Sequence, residues 1–399
     1  MDVRSSLRAV LVHDWLTGMR GGEKCLEVLC RRWPDAPIFT LLHQKGSVSS
    51  TIENHRPTAS FIRLFPGVER YYRSLLPLMP MAANWRIPVC DLLVSFSHCV
   101  AKAAQPPQGV PHVCYCFTPM RYVWHMREAY FGSRFRGLTA IAIDRMLDWI
   151  QKWDRRTAER VTHFVAISRT VRDRIAECYS RESIVIYPPV DTEFYTPSDE
   201  RRADYYLVVS AFAPYKRIDL AIEACRRLGR KLVVIGTGQD DARLRVLAGP
   251  DVTFLGWQPD SAIRDQLRRC RALLFPGEED FGIVPVEANA CGTPVIALGK
   301  GGATESILPL GNAYDPTGVW FPEQNADSLI EAIERFEQNE TIFDADAIRL
   351  NSLRFNRERY EAELVGYLEH VAGKASPNRQ RTPLILGQVP QLGDAAIAA

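Results

Sequence analysis

Short apolar runs alternate with amphipathic stretches along this chain, and the alternation predicts its elements. Ala9 to His13 reads as a buried strand, Thr17 to Gly22 as a glycine-containing turn, and Glu23 to Arg32 as a helix. Strand-like runs follow at Ile38 to Leu42, Leu92 to Phe96, His112 to Phe117 and His163 to Ile167, separated by helical or loop-rich stretches. Strands that recur with helices between them build a parallel sheet, because parallel neighbours need a crossover. Ser168 is placed to cap the helix TVRDRIAECY.

The prolines of IVIYPPVDTEFYTP, residues 184–197, break the helical periodicity and mark a connection between domains. A second series then begins, with strands in YYLVVSA (205–211), KLVVIGTG (231–238), VTFLGW (252–257), ALLFP (272–276) and PVIAL (294–298). Helices are expected between them at Ile218 to Leu228, Asp241 to Leu247, Ser261 to Arg269 and Val286 to Ala290. Further helices are expected at Ala326 to Gln338 and Asn356 to Val371, followed by a flexible tail over 372–399. The expected organisation is a domain of residues 1–190, completed by a C-terminal helix at about 350–371, and a second domain of residues 191–349.

A length of 399 residues suits this division, since single cores stop growing at about 250 to 300 residues. No apolar run approaches the roughly 20 residues of a membrane span, and the opening residues show no signal-peptide pattern. The cytosol is therefore the expected compartment. The ten cysteines form no CxxC pair, which fits reduced thiols, and His112, Cys114 and Cys116 alternate as a buried strand would rather than as metal ligands. The net charge of +2 hides an asymmetry: residues 1–180 carry 25 basic and 15 acidic side chains (+10), the remainder 24 and 32 (−8). Within the basic part, residues 61–86 interleave aromatic and aliphatic side chains with arginines, as either a surface resting on anionic lipid or a core helix with charged edges would.

The chemistry concentrates in FPGEEDFGIVPVEANACGTPVIALGKGGATESI, residues 275–307, where Glu279 and Glu287 stand eight positions apart. Pro285 suits a first helical turn, where its missing N–H has no helical partner. A helix starting there aims its first amides, with Phe281, Gly282, Ile283 and Val284 around them, at an anion, and Gly282 lets the backbone come close. Lys216 follows the first strand of the second series, and Gly21 and Gly22 open the first helix of the chain.

In order and spacing, VHDWLTGMRGGEK, IVIYPPVDTEFY, PYKRIDLAIEA and EDFGIVPVEANACGTPVIA resemble the retaining glycosyltransferases of family 4. The resemblance implies an α/β chain with the GT-B fold, two Rossmann-like doubly wound domains facing across a cleft. SFSHCVAKAAQPPQGVPHVCYCFTPMRYVW is similar to bacterial enzymes that move sugars, often mannose from GDP-mannose, to lipid-linked precursors of exopolysaccharide or O-antigen. The resemblance implies a hexosyltransferase whose partners are a nucleotide-sugar donor and a lipid-linked or glycan acceptor, with peripheral contact to an anionic membrane and no nucleic acid. It implies Lys216 on the phosphates, Glu279 on the donor hexose and Glu287 on the ribose, with His98 near the sugar or acceptor. Arg217, Gly236 and Gly238 are further donor-side candidates, and His13, Arg121 and His125 acceptor-side ones. Where relatives carry an arginine five residues before the lysine, this chain has Ala211, with Arg217 as the substitute, and Phe117 stands where the subgroup often has histidine. No cofactor and no essential metal are expected, and the DxD triplet Asp344 to Asp346 reads as a polar loop. A nucleotide-sugar 2-epimerase of the same fold and a non-catalytic sugar-nucleotide-binding protein are the alternatives.

Overall fold

The computed structural model describes residues 7–127, 130–131, 137–312 and 314–375. They form two compact units, one running to Pro188 and resuming at Tyr360, the other spanning Pro189–Arg359. Unit 1 contains β1 (Ala9–Leu16), α1 (Gly21–Arg32), β2 (Ile38–His43), α2 (Ser50–Glu53), β3 (Thr58–Ala59), α3 (Met79–Ala82), β4 (Leu92–Ser97), β5 (His112–Cys116), α4 (Leu138–Ala158), β6 (His163–Ala166), α5 (Arg169–Tyr179) and β7 (Ser183–Val185). Unit 2 contains β8 (Tyr206–Val209), α6 (Ile218–Leu228), β9 (Leu232–Ile235), α7 (Asp241–Leu247), β10 (Val252–Gly256), α8 (Asp260–Arg269), β11 (Leu273–Phe275), α9 (Ile283–Ala290), β12 (Val295–Leu298), α10 (Ala303–Ser306), β13 (Gly318–Phe321), α11 (Ala326–Gln338) and α12 (Ala345–Ser352). The last helix, α13 (Arg357–Ala375), crosses the boundary into unit 1, where Tyr360 meets Tyr115 with ring centroids 5.6 Å apart and Glu369 pairs with Arg32 at 2.6 Å.

Each unit is one parallel sheet. The first has the order β3-β2-β1-β4-β5-β6-β7 and the second β10-β9-β8-β11-β12-β13. Both orders reverse once, between β1 and β4 and between β8 and β11, and ligands of open α/β sheets bind beyond the carboxyl ends of the strands at such reversals. Strands covered by helices on both faces are apolar along their whole length. β1, β4 and β5 are accordingly buried at every position.

Several expectations need revision. Residues 61–86 form no continuous helix but 3-10 turns over Phe61–Leu64, Val68–Arg70 and Tyr72–Leu78, then α3; Pro66 separates the first two turns, while Pro77 lies within the third and Pro80 in the first turn of α3. The connection expected from residue 184 begins with an edge strand, β7. Residues 350–359 stay with unit 2, held partly by Phe355 against Phe281 at 5.4 Å between centroids. The helix expected to end at Val371 continues to Ala375, and the remainder of the expected tail lies outside the described residues.

Candidate active site residues in the two units

In unit 2 the named residues gather at the reversal between β8 and β11. After β8 the chain turns through a 3-10 turn, Pro214–Lys216, and after β11 it runs through Gly277 to Glu279. A Cβ on Gly277 would lie 3.0 Å from Lys216 Cα, so glycine allows the two loops to touch. The Lys216 ammonium and the Glu279 carboxylate form an ion pair across this junction, both mostly buried. Gly282, at φ +84°, takes the left-handed conformation that glycine favours and caps α9. The first N–H groups of α9 have no helical acceptor and carry the positive end of the helix dipole. Glu287, one turn further on, is 6% exposed.

The loop after β12 braces this arrangement. Gly302 N–H donates to Glu279 O at 2.8 Å, and a Cβ on Gly302 would overlap the backbone of Phe281. Phe281 itself is 2% exposed, packed inward on Phe355, so its contribution is to anchor the loop. Ile283 and Val284 are half-buried at the helix start. Gly236, at φ +137°, and Gly238 press against the backbone of Ser210 and Phe212, where any Cβ would overlap a carbonyl. They let the loop after β9 close on the segment leading to Lys216. The Arg217 guanidinium binds Asp219 at 3.1 Å and donates to Gln324 O at 3.4 Å.

In unit 1 the reversal between β1 and β4 collects His13, His98 and the first turn of α1. His13 is buried. Its Nδ1 lies 2.9 Å from Trp15 O, so that nitrogen carries the proton and donates, and burial holds the imidazole below its ordinary pKa. Its Nε2 is buried with no hydrogen-bond partner and faces Gly22, whose Cβ position is 3.1 Å away. Phe117, standing where the subgroup carries histidine, fills the other side of Gly22, with Cζ also 3.1 Å from that position. Gly21 opens α1, and Glu23 reaches back to accept from the Arg20 N–H at 3.1 Å.

Asp14 organises the His98 loop, and no spacing motif announced it. Its carboxylate is fully buried and accepts from the N–H groups of His98 (2.6 Å), Cys99 (2.9 Å), Val100 (2.7 Å) and Ala101 (2.7 Å). It also accepts from His98 Nδ1 at 2.9 Å. Burial alone would raise its pKa, but the His98 imidazole and these hydrogen bonds outweigh it and hold the carboxyl at about 2. An ionised Asp14 only accepts, so His98 Nδ1 carries a proton and Nε2 is the nitrogen left to act on a ligand. The ring is part-exposed and stands edge-on to Trp15 at 4.5 Å between centroids.

The remaining candidates lie elsewhere or do other work. His125 Nε2 is 3.3 Å from Cys178 Sγ on α5, and Arg121 is half-buried just before it. His112 is buried with Nε2 2.8 Å from Ser95 Oγ, and burial takes it down to about 3. Asp344 caps α12 by accepting from Ala347 N–H at 2.8 Å. All ten cysteines are buried and none is in a disulfide. Among the described residues no helix is long and apolar enough to cross a membrane.

Two parallel sheets with glycines and charged side chains at their reversals define a doubly wound α/β protein, a class that binds ligands at those reversals. The family model "Glycosyltransferase Family 4" matches residues 19–194 and "Glycosyl transferases group 1" matches residues 196–351. The chain belongs to the group 1, family 4 glycosyltransferases, with the two-domain GT-B fold. It is 30% identical over 171 residues to a D-inositol 3-phosphate glycosyltransferase of Mycobacteroides abscessus, covering 37% of this chain and 38% of that one. It is 29% identical over 209 residues to the O-antigen chain mannosyltransferase RfbU of Salmonella typhimurium, covering 48% and 59%. The chain thus spans about half the length, or less, of such curated relatives. The crystal structure of Anabaena HepE in complex with UDP superposes with a TM-score of 0.63 at 16% identity, over 91% of this chain and all of that one, a likeness of fold.

Proposed function

We propose that the protein is a retaining hexosyltransferase that takes a hexose from a nucleotide diphosphate sugar and passes it to a lipid-linked or glycan acceptor in cell-surface polysaccharide assembly. The observation that carries this reading is the Lys216–Glu279 ion pair at the β8–β11 reversal, beside the glycine-capped start of α9. Each member of the pair is satisfied by the other until the donor arrives. The diphosphate then takes the Lys216 ammonium and the α9 amides, while hexose hydroxyls donate to Glu279 and ribose hydroxyls to Glu287. As the anomeric bond breaks, negative charge grows on the leaving diphosphate, and the fixed ammonium and amides stabilise it without reorganising. His98, held by Asp14 with Nε2 outward, serves the sugar or acceptor hydroxyl. No metal is needed in this scheme because Lys216 and the helix start supply the positive charge.

For the donor we favour GDP-mannose. RfbU is named a mannosyltransferase, whereas HepE structures hold UDP and UDP-glucose. A thermal-shift screen with GDP, UDP and ADP and their sugars separates the possibilities: stabilisation by GDP-mannose supports the choice, and a preference for a UDP-sugar overturns it. For the acceptor side, Leu64 (72% exposed), Met81 (66%) and Val89 (75%) lie in the same stretch of sequence as the exposed arginines Arg63, Arg70, Arg73 and Arg86. Apolar side chains amid cations suit an anionic membrane surface. Binding to anionic vesicles that weakens with salt is the expected result, and no binding at low ionic strength excludes peripheral membrane contact.

A further inference from the structure

Unit 1 buries an ion pair that the proposed scheme leaves unused. Lys102 sits in the 3-10 turn Ala101–Ala103, directly after the loop that carries His98, and its ammonium pairs with the Asp154 carboxylate on α4. Both side chains are buried. The other Asp154 oxygen accepts from Trp124 Nε1 at 2.9 Å and from the Tyr179 hydroxyl at 2.7 Å, so three further segments of the unit meet α4 at one carboxylate. Burial would lower the lysine pKa, but the Asp154 charge and hydrogen bond outweigh it and raise the value, so the ammonium stays charged.

The pair reaches the site through one residue. The Lys102 ammonium also donates to Cys99 O at 3.3 Å, while the Cys99 N–H donates to Asp14 at 2.9 Å. The residue that follows His98 thus has its N–H on one buried carboxylate and its C=O on the cation paired with another. A buried ion pair adds little net stability over apolar residues of the same volume, and what it can add is the choice of one arrangement. A methionine at 102 would fill similar space without selecting where the Cys99 carbonyl points. We propose that Lys102 and Asp154 are positioning residues for His98, fixing the peptide that follows it so that its imidazole stays on Asp14. The inference rests on the reading that His98 serves the sugar or acceptor hydroxyl.

Lys102→Met alone would leave Asp154 buried without its cation, so the test removes both charges in Lys102→Met/Asp154→Asn, where the carboxamide oxygen can still accept from Trp124 and Tyr179. The whole protein is labelled with nitrogen-15 at its eight histidines, His98→Gln assigns the His98 ring, and exchange of the His98 Nδ1 proton with solvent is followed without ligand. The double variant should keep its thermal midpoint within a few degrees, yet exchange that proton at least about tenfold faster. Tyr179→Phe removes only one donor from Asp154 and should speed the same exchange about threefold. Ser168→Ala, which loses the cap on Val171 N–H in the same unit, is the control: it should lower the midpoint and leave the His98 ring as in the wild type. Wild-type exchange in the double variant, or in Tyr179→Phe should the double variant fail to fold, overturns the inference, as does equal acceleration in Ser168→Ala. The reading of His98 is tested separately: His98→Gln that releases nucleoside diphosphate from GDP-mannose or UDP-glucose as fast as the wild type removes His98 from the reaction, whatever holds its ring.

Discussion

Replacing Asp14 by Asn tests the unit 1 site most severely. The native carboxylate serves four backbone N–H groups and one imidazole N–H. An asparagine keeps one acceptor oxygen with two lone pairs and puts an NH2 group where the other oxygen accepted. His98 can adapt by moving its ring proton to Nε2 and accepting at Nδ1, but backbone amides cannot. At least two of them are stranded in a buried site, at about 1–3 kcal/mol each. The depression of the Asp14 pKa to about 2, caused by the His98 imidazole and the same hydrogen bonds, points in the same direction. Amide hydrogen exchange at Cys99, Val100 and Ala101 reads the loss directly, since 2 kcal/mol of local stability corresponds to about thirtyfold faster exchange. The Val171 amide, capped by Ser168 Oγ at 3.0 Å in the same unit, should be unaffected. The variant should also lose turnover, because the relocated ring proton inverts the character of Nε2. Exchange at 99–101 within threefold of wild type would refute the reasoning.

The acid limb follows from the same residue: a carboxyl whose folded pKa lies below its unfolded value stabilises above about pH 4 and loses that contribution as pH falls toward 2. Thermal midpoints of wild type and Asp14→Asn should therefore converge across that window, and a gap unchanged from pH 6 to 2 would contradict the assignment. Lys216→Ala should weaken nucleoside diphosphate binding roughly 10- to 100-fold while nucleoside binding, measured by calorimetry, stays within threefold. Gly302→Ala drives a methyl into the Phe281 backbone and should cost about 1–3 kcal/mol in thermal denaturation while weakening donor binding through Glu279. A fully stable variant would show that the loop after β12 does not brace the site.

The second domain was the more legible part of the chain. Ile218–Leu228, Asp241–Leu247 and Ala326–Gln338 fall where their periodicity put them, because these helices carry one apolar stripe and end at breakers. The two-residue β3 and three-residue β7 escaped notice because edge strands that short have no readable period. α4 was not anticipated, nor was β13. The unit 2 site is local in sequence: Glu279, Gly282 and Glu287 sit on one strand-loop-helix passage, so spacing exposes them. Asp14 was invisible for the opposite reason. The amides that Asp14 serves begin 84 residues away. The brace from Gly302 was hidden in the same way, although the glycine pair after β12 was a signal that backbones approach closely there.

The central claim is that the ion pair of Lys216 and Glu279 opens to admit a nucleotide diphosphate sugar. Calorimetric titration of the whole protein with GDP-mannose and UDP-glucose, repeated on Glu279→Gln and Lys216→Ala, tests it most directly. One of the two donors should bind at a single site, Lys216→Ala should weaken donor and free diphosphate alike, and Glu279→Gln should weaken the donor but not the diphosphate. Failure of both nucleotide sugars to bind, or binding indifferent to both substitutions, would contradict the account.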